Sequence, residues 1–125
     1  MKVLLDIDIV IEILRARNPV YLSQWNQLPE SNPTVLISPV TVAEVWAGAR
    51  PKEQESISAF FHPLLLVPID HEAGRLAGEF LRRFSKSHSL DIADALIAAT
   101  AVLYQAPLWT RNRKHYPMPE ITFLP

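Results

Sequence analysis

The stretch "MKVLLDIDIVIEIL", residues 1–14, decides the fold. Its "KVLL" is a short apolar run that ends at Asp6, and from about residue 9 the apolar positions recur at helical spacing. A run without polar alternation reads as a strand buried on both faces, which is the habit of parallel sheets. The pattern returns in "TVLIS" (34–38), "LLLVPI" (64–69) and "APLWT" (106–110). Between these runs, helical spacing occupies roughly 9–16, 20–28, 40–49, 52–61, 71–85 and 91–104. Strands alternating with helices predict an α/β protein whose central, mostly parallel sheet is covered on both sides.

The same stretch bounds the protein's class. Asp6, Asp8 and Glu12 interrupt its apolar residues every few positions, against both a signal-peptide core and a membrane-spanning helix. With no cysteine in the chain, neither a disulfide framework nor a thiolate metal site is available, and a reducing cytoplasm is the expected compartment. The 125 residues suit one compact domain over 1–125. Apolar residues at 49% and charged residues at 20% exclude a disordered chain. The prolines stand mostly at element ends, where a missing N–H does least harm.

In open parallel sheets, reactive groups gather beyond the carboxyl ends of the strands, which is where Asp6 stands. A second group of acids opens "DIADALIAATA", residues 91–101. On a helical wheel both sides of this segment are mostly apolar, so it should cross the interior with Asp91 and Asp94 projecting from its amino-terminal end. Capping alone could explain each acid. Asp91 and Asp94 suit an N-cap and first turn, Asp6 and Asp8 could cap the helix after the first strand, and "TVAE" fits a capping box between Thr41 and Glu44.

The joint arrangement points further. One acid ends the first strand, another lies in the first turn after the second, and a pair opens the late helix, so all can converge on one cleft. Several carboxylates cannot share a cleft in ionised form without a cation between them. Oxygen ligands without Cys or a His pair point to Mg²⁺ or Mn²⁺.

A net charge of −1 speaks against a nucleic-acid partner, but that average hides a split surface. With Asp6, Asp8, Glu44, Asp91 and Asp94 neutralised in one pocket, the rest of the molecule carries +4. The segment "LWTRNRKHYP", residues 108–117, then places Arg111, Arg113, Lys114 and His115 just past an apolar strand. Such a turn can be a solvated loop. Beside an acidic metal cleft, its cations suit a phosphodiester better than a neutral substrate.

Taken together, "MKVLLDIDIVIEIL", "ISPVTVAEVWAGAR" and "DIADALIAATA" followed by "LWTRNRKHYP" resemble the PIN-domain family, and within it the VapC-type toxin ribonucleases. The resemblance covers nearly the whole chain and implies a three-layer α/β/α PIN-like fold. Asp6, Glu44 and Asp94 match the family's acidic triad, and Asn112 falls at its fourth position. Asp91 and Asp8 would support the site as additional metal-binding groups, and Thr110 matches a hydroxyl ending the last active-site strand.

The implied activity is metal-assisted hydrolysis of RNA by the toxin of a type II toxin–antitoxin pair, with Mg²⁺ or Mn²⁺ as cofactor. The implied partners are a homodimeric copy and a small antitoxin whose helix would fill a groove near Tyr21, Leu22, Trp25, Phe60 and Phe61. Ile7 departs from the family's usual threonine, and His115 from a common acid. Trp25, Trp46 and Trp109 read as packing residues rather than base-stacking ones, and His62, His71 and His88 match nothing catalytic. Two other readings compete. "VLLDIDIV" also resembles the opening of haloacid-dehalogenase-like phosphohydrolases, with Asp6 as nucleophile, and the departures allow a degenerate PIN fold kept for binding.

Overall fold

The computed structural model describes residues 1–31 and 33–125, with the backbone alone for residues 29–31. Among these, β1 (Lys2–Leu5), β2 (Thr34–Ile37), β3 (Leu65–Leu66) and β4 (Leu108–Trp109) form one parallel sheet in the order β3-β2-β1-β4. Leu4 pairs with Leu36 on one side and with Leu108 on the other, which puts β1 inside the sheet.

The uninterrupted apolar runs follow from two cores, one on each face. Leu4, Leu36 and Leu108 point to the side packed by α5 (His71–His88) and α6 (Ile92–Leu103). Val3, Leu5, Ile37 and Trp109 point the opposite way, onto Ile9, Val10 and Ile13 of α1 (Ile7–Arg15), Val45 of α3 (Pro39–Ala47) and Ile57 of α4 (Gln54–Phe61). Because successive strand residues face opposite sides, a strand covered on both must be apolar at every position. Val3, Leu4 and Leu5 are fully buried, each contributing roughly 1.5–3 kcal/mol. Tyr21, Trp25, Phe60 and Phe61, the expected groove residues together with Leu22, are partly buried against the second core. Trp25 and Phe60 lie 5.5 Å apart between ring centroids, joining α2 (Pro19–Ser31) to α4.

The structure corrects three expectations. "LLLVPI" does not form a strand buried on both faces: only Leu65 and Leu66 pair with β2, and they are 53% and 56% exposed. Hydropathy records that the residues are apolar, whereas their place at the sheet edge depends on strand order. Thr41 does not cap α3. Ser38 does, accepting from Val40 N at 3.1 Å with Pro39 as the first helical residue, so no Thr41–Glu44 box forms. Ile92, an apolar residue of the helix expected to cross the interior, is 67% exposed because it lies in the first turn. From Ala95 to Thr100 α6 is otherwise mostly buried, with the interior course expected.

Element ends also move. The stretch 52–61 opens as a 3-10 turn at Pro51–Glu53, α1 starts two residues early and α5 runs on to His88. No helix among the described residues is long and apolar enough to cross a membrane.

Candidate active site

The acids meet beyond the carboxyl ends of β1, β2 and β4. Asp6 follows β1 directly, caps α1 by accepting from Ile7 N at 2.9 Å, and is 7% exposed. Its Oδ2 accepts from Thr110 Oγ1 and from the Tyr116 hydroxyl, each at 2.8 Å. The capping explanation of Asp6 is therefore true without being sufficient, since the cap uses one lone pair of Oδ1, while Oδ2 is held by two hydroxyls that no cap requires.

Asp91 and Asp94 divide their work. Asp91 caps α6, accepting from Asp94 N at 2.8 Å. Asp94 projects into the cleft, with Oδ1 at 3.5 Å from the same Tyr116 hydroxyl that serves Asp6. Burial first, then the negative charges of Asp91, Asp6 and Glu44, push the Asp94 carboxyl up to about 6, while His115 pulls the other way. Glu44 is raised by burial and by Asp6 and Asp91. Four acids from β1, α3 and α6 thus feel one another's charge, as the sequence anticipates.

Asp8 stands on the other side of Asp6. Its Oδ2 accepts from Arg111 N at 3.0 Å and lies 3.3 Å from both Thr110 Oγ1 and Asn112 Nδ2, while its Oδ1 is buried without a protein partner. Burial and Asp6 raise its carboxyl against those hydrogen bonds. Asn112, expected at the fourth catalytic position, turns its amide to Asp8, and its backbone N donates to Thr110 Oγ1 at 3.1 Å.

The basic turn is only partly free. Arg111 forms a 2.6 Å ion pair with Glu12 and lies over the Tyr21 ring at 5.3 Å. Arg113 donates to Leu124 O at 3.0 Å and stacks on Phe123 at 5.1 Å. These two fasten the turn to the body of the protein. Lys114 and His115, in the 3-10 turn Arg113–His115, are exposed. Tyr116 escaped the sequence reading, which saw "KHYP" as surface. A buried phenol needs a hydrogen-bond partner, but nothing local in the sequence marks Tyr116 as buried.

Chemically this is a set of hard oxygen donors that repel one another. Among the described residues, no three acids or histidines already stand as a closed cage for a cation. The donor atoms present, carboxylate oxygens without sulfur, are of the kind that hard divalent cations take. The raised carboxyls of Asp94, Glu44 and Asp8 express the same demand for positive charge.

A family model described as PIN domain matches residues 3–121. The chain is 32% identical over 116 residues to Ribonuclease VapC19 of Mycobacterium tuberculosis, covering 92% of each. It is also 32% identical over 117 residues to Ribonuclease VapC1 of Methanocaldococcus jannaschii, covering 92% of this chain and 79% of that one. Among solved structures, VapBC2 from Rickettsia felis bound to a DNA fragment from their promoter has a TM-score of 0.80 at 26% identity, over 99% of this chain and 98% of its counterpart. The dehalogenase-like and binding-only readings find no support in these matches. With the parallel sheet, the gathered acids and the matched span coinciding, the chain belongs to the PIN-domain family and is of the VapC type.

Proposed function

We propose that this protein is a Mg²⁺- or Mn²⁺-dependent endoribonuclease, the toxin of a type II toxin–antitoxin pair, built as one PIN-like domain over residues 1–125 and working in the cytoplasm. The observation that carries the reading is the convergence of Asp6 and Asp94 on one hydroxyl, 2.8 Å and 3.5 Å from that of Tyr116, with Asp91 and Glu44 near enough to help raise the Asp94 carboxyl. The names of its relatives, Ribonuclease VapC19 and Ribonuclease VapC1, supply the substrate class.

Asp6, Glu44 and Asp94 would hold the cation, with Asp91 supporting them from the cap of α6. When bound, the cation would polarise the scissile phosphate and lower the pKa of water at the site. The remaining work belongs to the chain. Thr110 orients Asp6 from the end of β4, and Asn112 steadies Asp8. Lys114 and His115 are exposed, His115 near enough to lower the Asp94 carboxyl, and both can take phosphate oxygens of an RNA strand, while Arg111 and Arg113 keep the turn in place. A small antitoxin is an expected protein partner, in keeping with the toxin–antitoxin complex among its structural relatives, and a second copy of the chain is expected besides.

The test replaces Asp6 or Asp94 by Asn and measures RNA cleavage with Mg²⁺. Loss of roughly 10²-fold or more is expected from each. Wild-type turnover in both variants would remove the two acids from the mechanism.

A further inference from the structure

Tyr116 is 3% exposed, yet its hydroxyl opens into the acidic cleft, 2.8 Å from Asp6 Oδ2 and 3.5 Å from Asp94 Oδ1. A phenol has one proton to give, and the shorter contact receives it. Thr110 Oγ1 faces the same choice, at 2.8 Å from Asp6 Oδ2 and 3.3 Å from Asp8 Oδ2, and its proton also goes to Asp6. On the other oxygen, Oδ1, Asp6 accepts from Ile7 N at 2.9 Å. A carboxylate offers about four lone-pair sites, two on each oxygen. Oδ2 is therefore saturated, and Oδ1 keeps one site.

We propose that Tyr116 is a positioning residue: with Thr110 it saturates Oδ2 of Asp6, so that Asp6 offers a divalent cation one oxygen, Oδ1, and no second. The proposal rests on the reading of the acids as a metal site. One-oxygen ligation suits a small octahedral ion that keeps its waters, whereas a carboxylate chelating through both oxygens is a habit of larger Ca²⁺. Tyr116 thus sets which ion the site prefers as well as how firmly it is held. Position 7 is isoleucine and brings Asp6 only a backbone N–H, so both hydroxyls come from the far end of the chain, at Thr110 and Tyr116.

Tyr116→Phe tests this, because it keeps the buried ring and removes the one donor. Wild-type and variant proteins would be titrated with Mn²⁺ by calorimetry, and with Ca²⁺ in competition against Mn²⁺. Mn²⁺ binding should weaken roughly 10- to 100-fold, the range found when a residue supporting a metal ligand is lost. Ca²⁺ binding should hold or tighten, so that the preference for Mn²⁺ over Ca²⁺ shrinks. RNA cleavage lost at limiting Mn²⁺ should return at saturating Mn²⁺ with KM for RNA unchanged, which a packing defect would not produce. Thr110→Val should change ion preference in the same direction.

Equal weakening for both ions, or wild-type affinity and preference in Tyr116→Phe, overturns the positioning role. If the wild type binds Mn²⁺ and Asp94→Asn weakens that binding while Tyr116→Phe does not, the role falls and the metal site stands. If the wild type binds no Mn²⁺, both fall together.

Discussion

Thr110 and Asp6, 104 residues apart in sequence, are joined by a 2.8 Å hydrogen bond that ties the end of β4 to the end of β1. The bond lies where the two strands are already in register through Leu5 and Trp109 and where Asp6 N donates to Trp109 O at 3.0 Å. Thr110→Val removes a donor from a carboxylate that is 7% exposed. The expected cost is about 1–3 kcal/mol, read as a lower urea midpoint at unchanged m-value. An unaltered midpoint would mean that water takes over the lost hydrogen bond.

The pH dependence of metal-free stability follows from Asp94, whose carboxyl is raised from 3.8 to about 6 in the folded protein. Between those values the unfolded chain has released the proton and the folded chain still holds it. Stability therefore falls as pH rises through that window and levels off above it. Glu44 and Asp8 are raised too and act in the same direction. With a chelator present, the protein is expected to be more stable at pH 5 than at pH 7. Asp94→Asn should flatten the profile and stabilise the fold at pH 7. A variant with the wild-type slope would show that Asp94 is not under strain.

The two kinds of cation in the basic turn should separate in RNA binding, measured by fluorescence anisotropy on the Asp94→Asn background, where cleavage is expected to be lost. Lys114 is exposed, and Lys114→Ala should reduce the dependence of log affinity on log salt by about 0.7, the single-strand value for one phosphate contact. Arg111→Ala breaks an ion pair whose Glu12 side chain is 17% exposed. It should cost up to about 1 kcal/mol of stability and leave the salt dependence as it was. A full phosphate's worth of salt dependence lost in Arg111→Ala would show that its guanidinium leaves Glu12 for RNA.

Thr41 is fully buried with its Oγ1 unpartnered, whereas buried Thr100 donates to Leu96 O at 2.8 Å. The two threonines thus differ in what an apolar replacement removes. Thr41→Val deletes only an unsatisfied hydroxyl and should stabilise the protein by about 1 kcal/mol. Thr100→Val deletes a made hydrogen bond and should give no such gain. Chemical denaturation of the two variants side by side reads the difference.

The sheet was legible because burial on both faces writes itself as unbroken apolar runs, as Val3, Leu4 and Leu5 do by alternating between two cores. The same signal misled at Leu65 and Leu66, since an edge strand carries similar residues and strand order is a long-range property. The acids were legible as a set because strand ends and a helix start are recognisable locally. Their positions on α6 were legible too, with Asp91 expected at the N-cap and Asp94 in the first turn, as the bond from Asp94 N to Asp91 bears out. Ser38 could have been preferred to Thr41 as a cap from the proline that follows it. Tyr116 was out of reach, because its direction depends on the 3-10 turn before it and on a partner more than a hundred residues upstream.

The late arrival of Thr110 and Tyr116 has a consequence during synthesis. A growing polypeptide presents Asp6 and Glu44 early, but the hydroxyls that orient Asp6 and the strand that closes the sheet beside β1 emerge from the ribosome more than a hundred residues after Asp6. Until then the nascent chain carries its early acids without the framework that orients them.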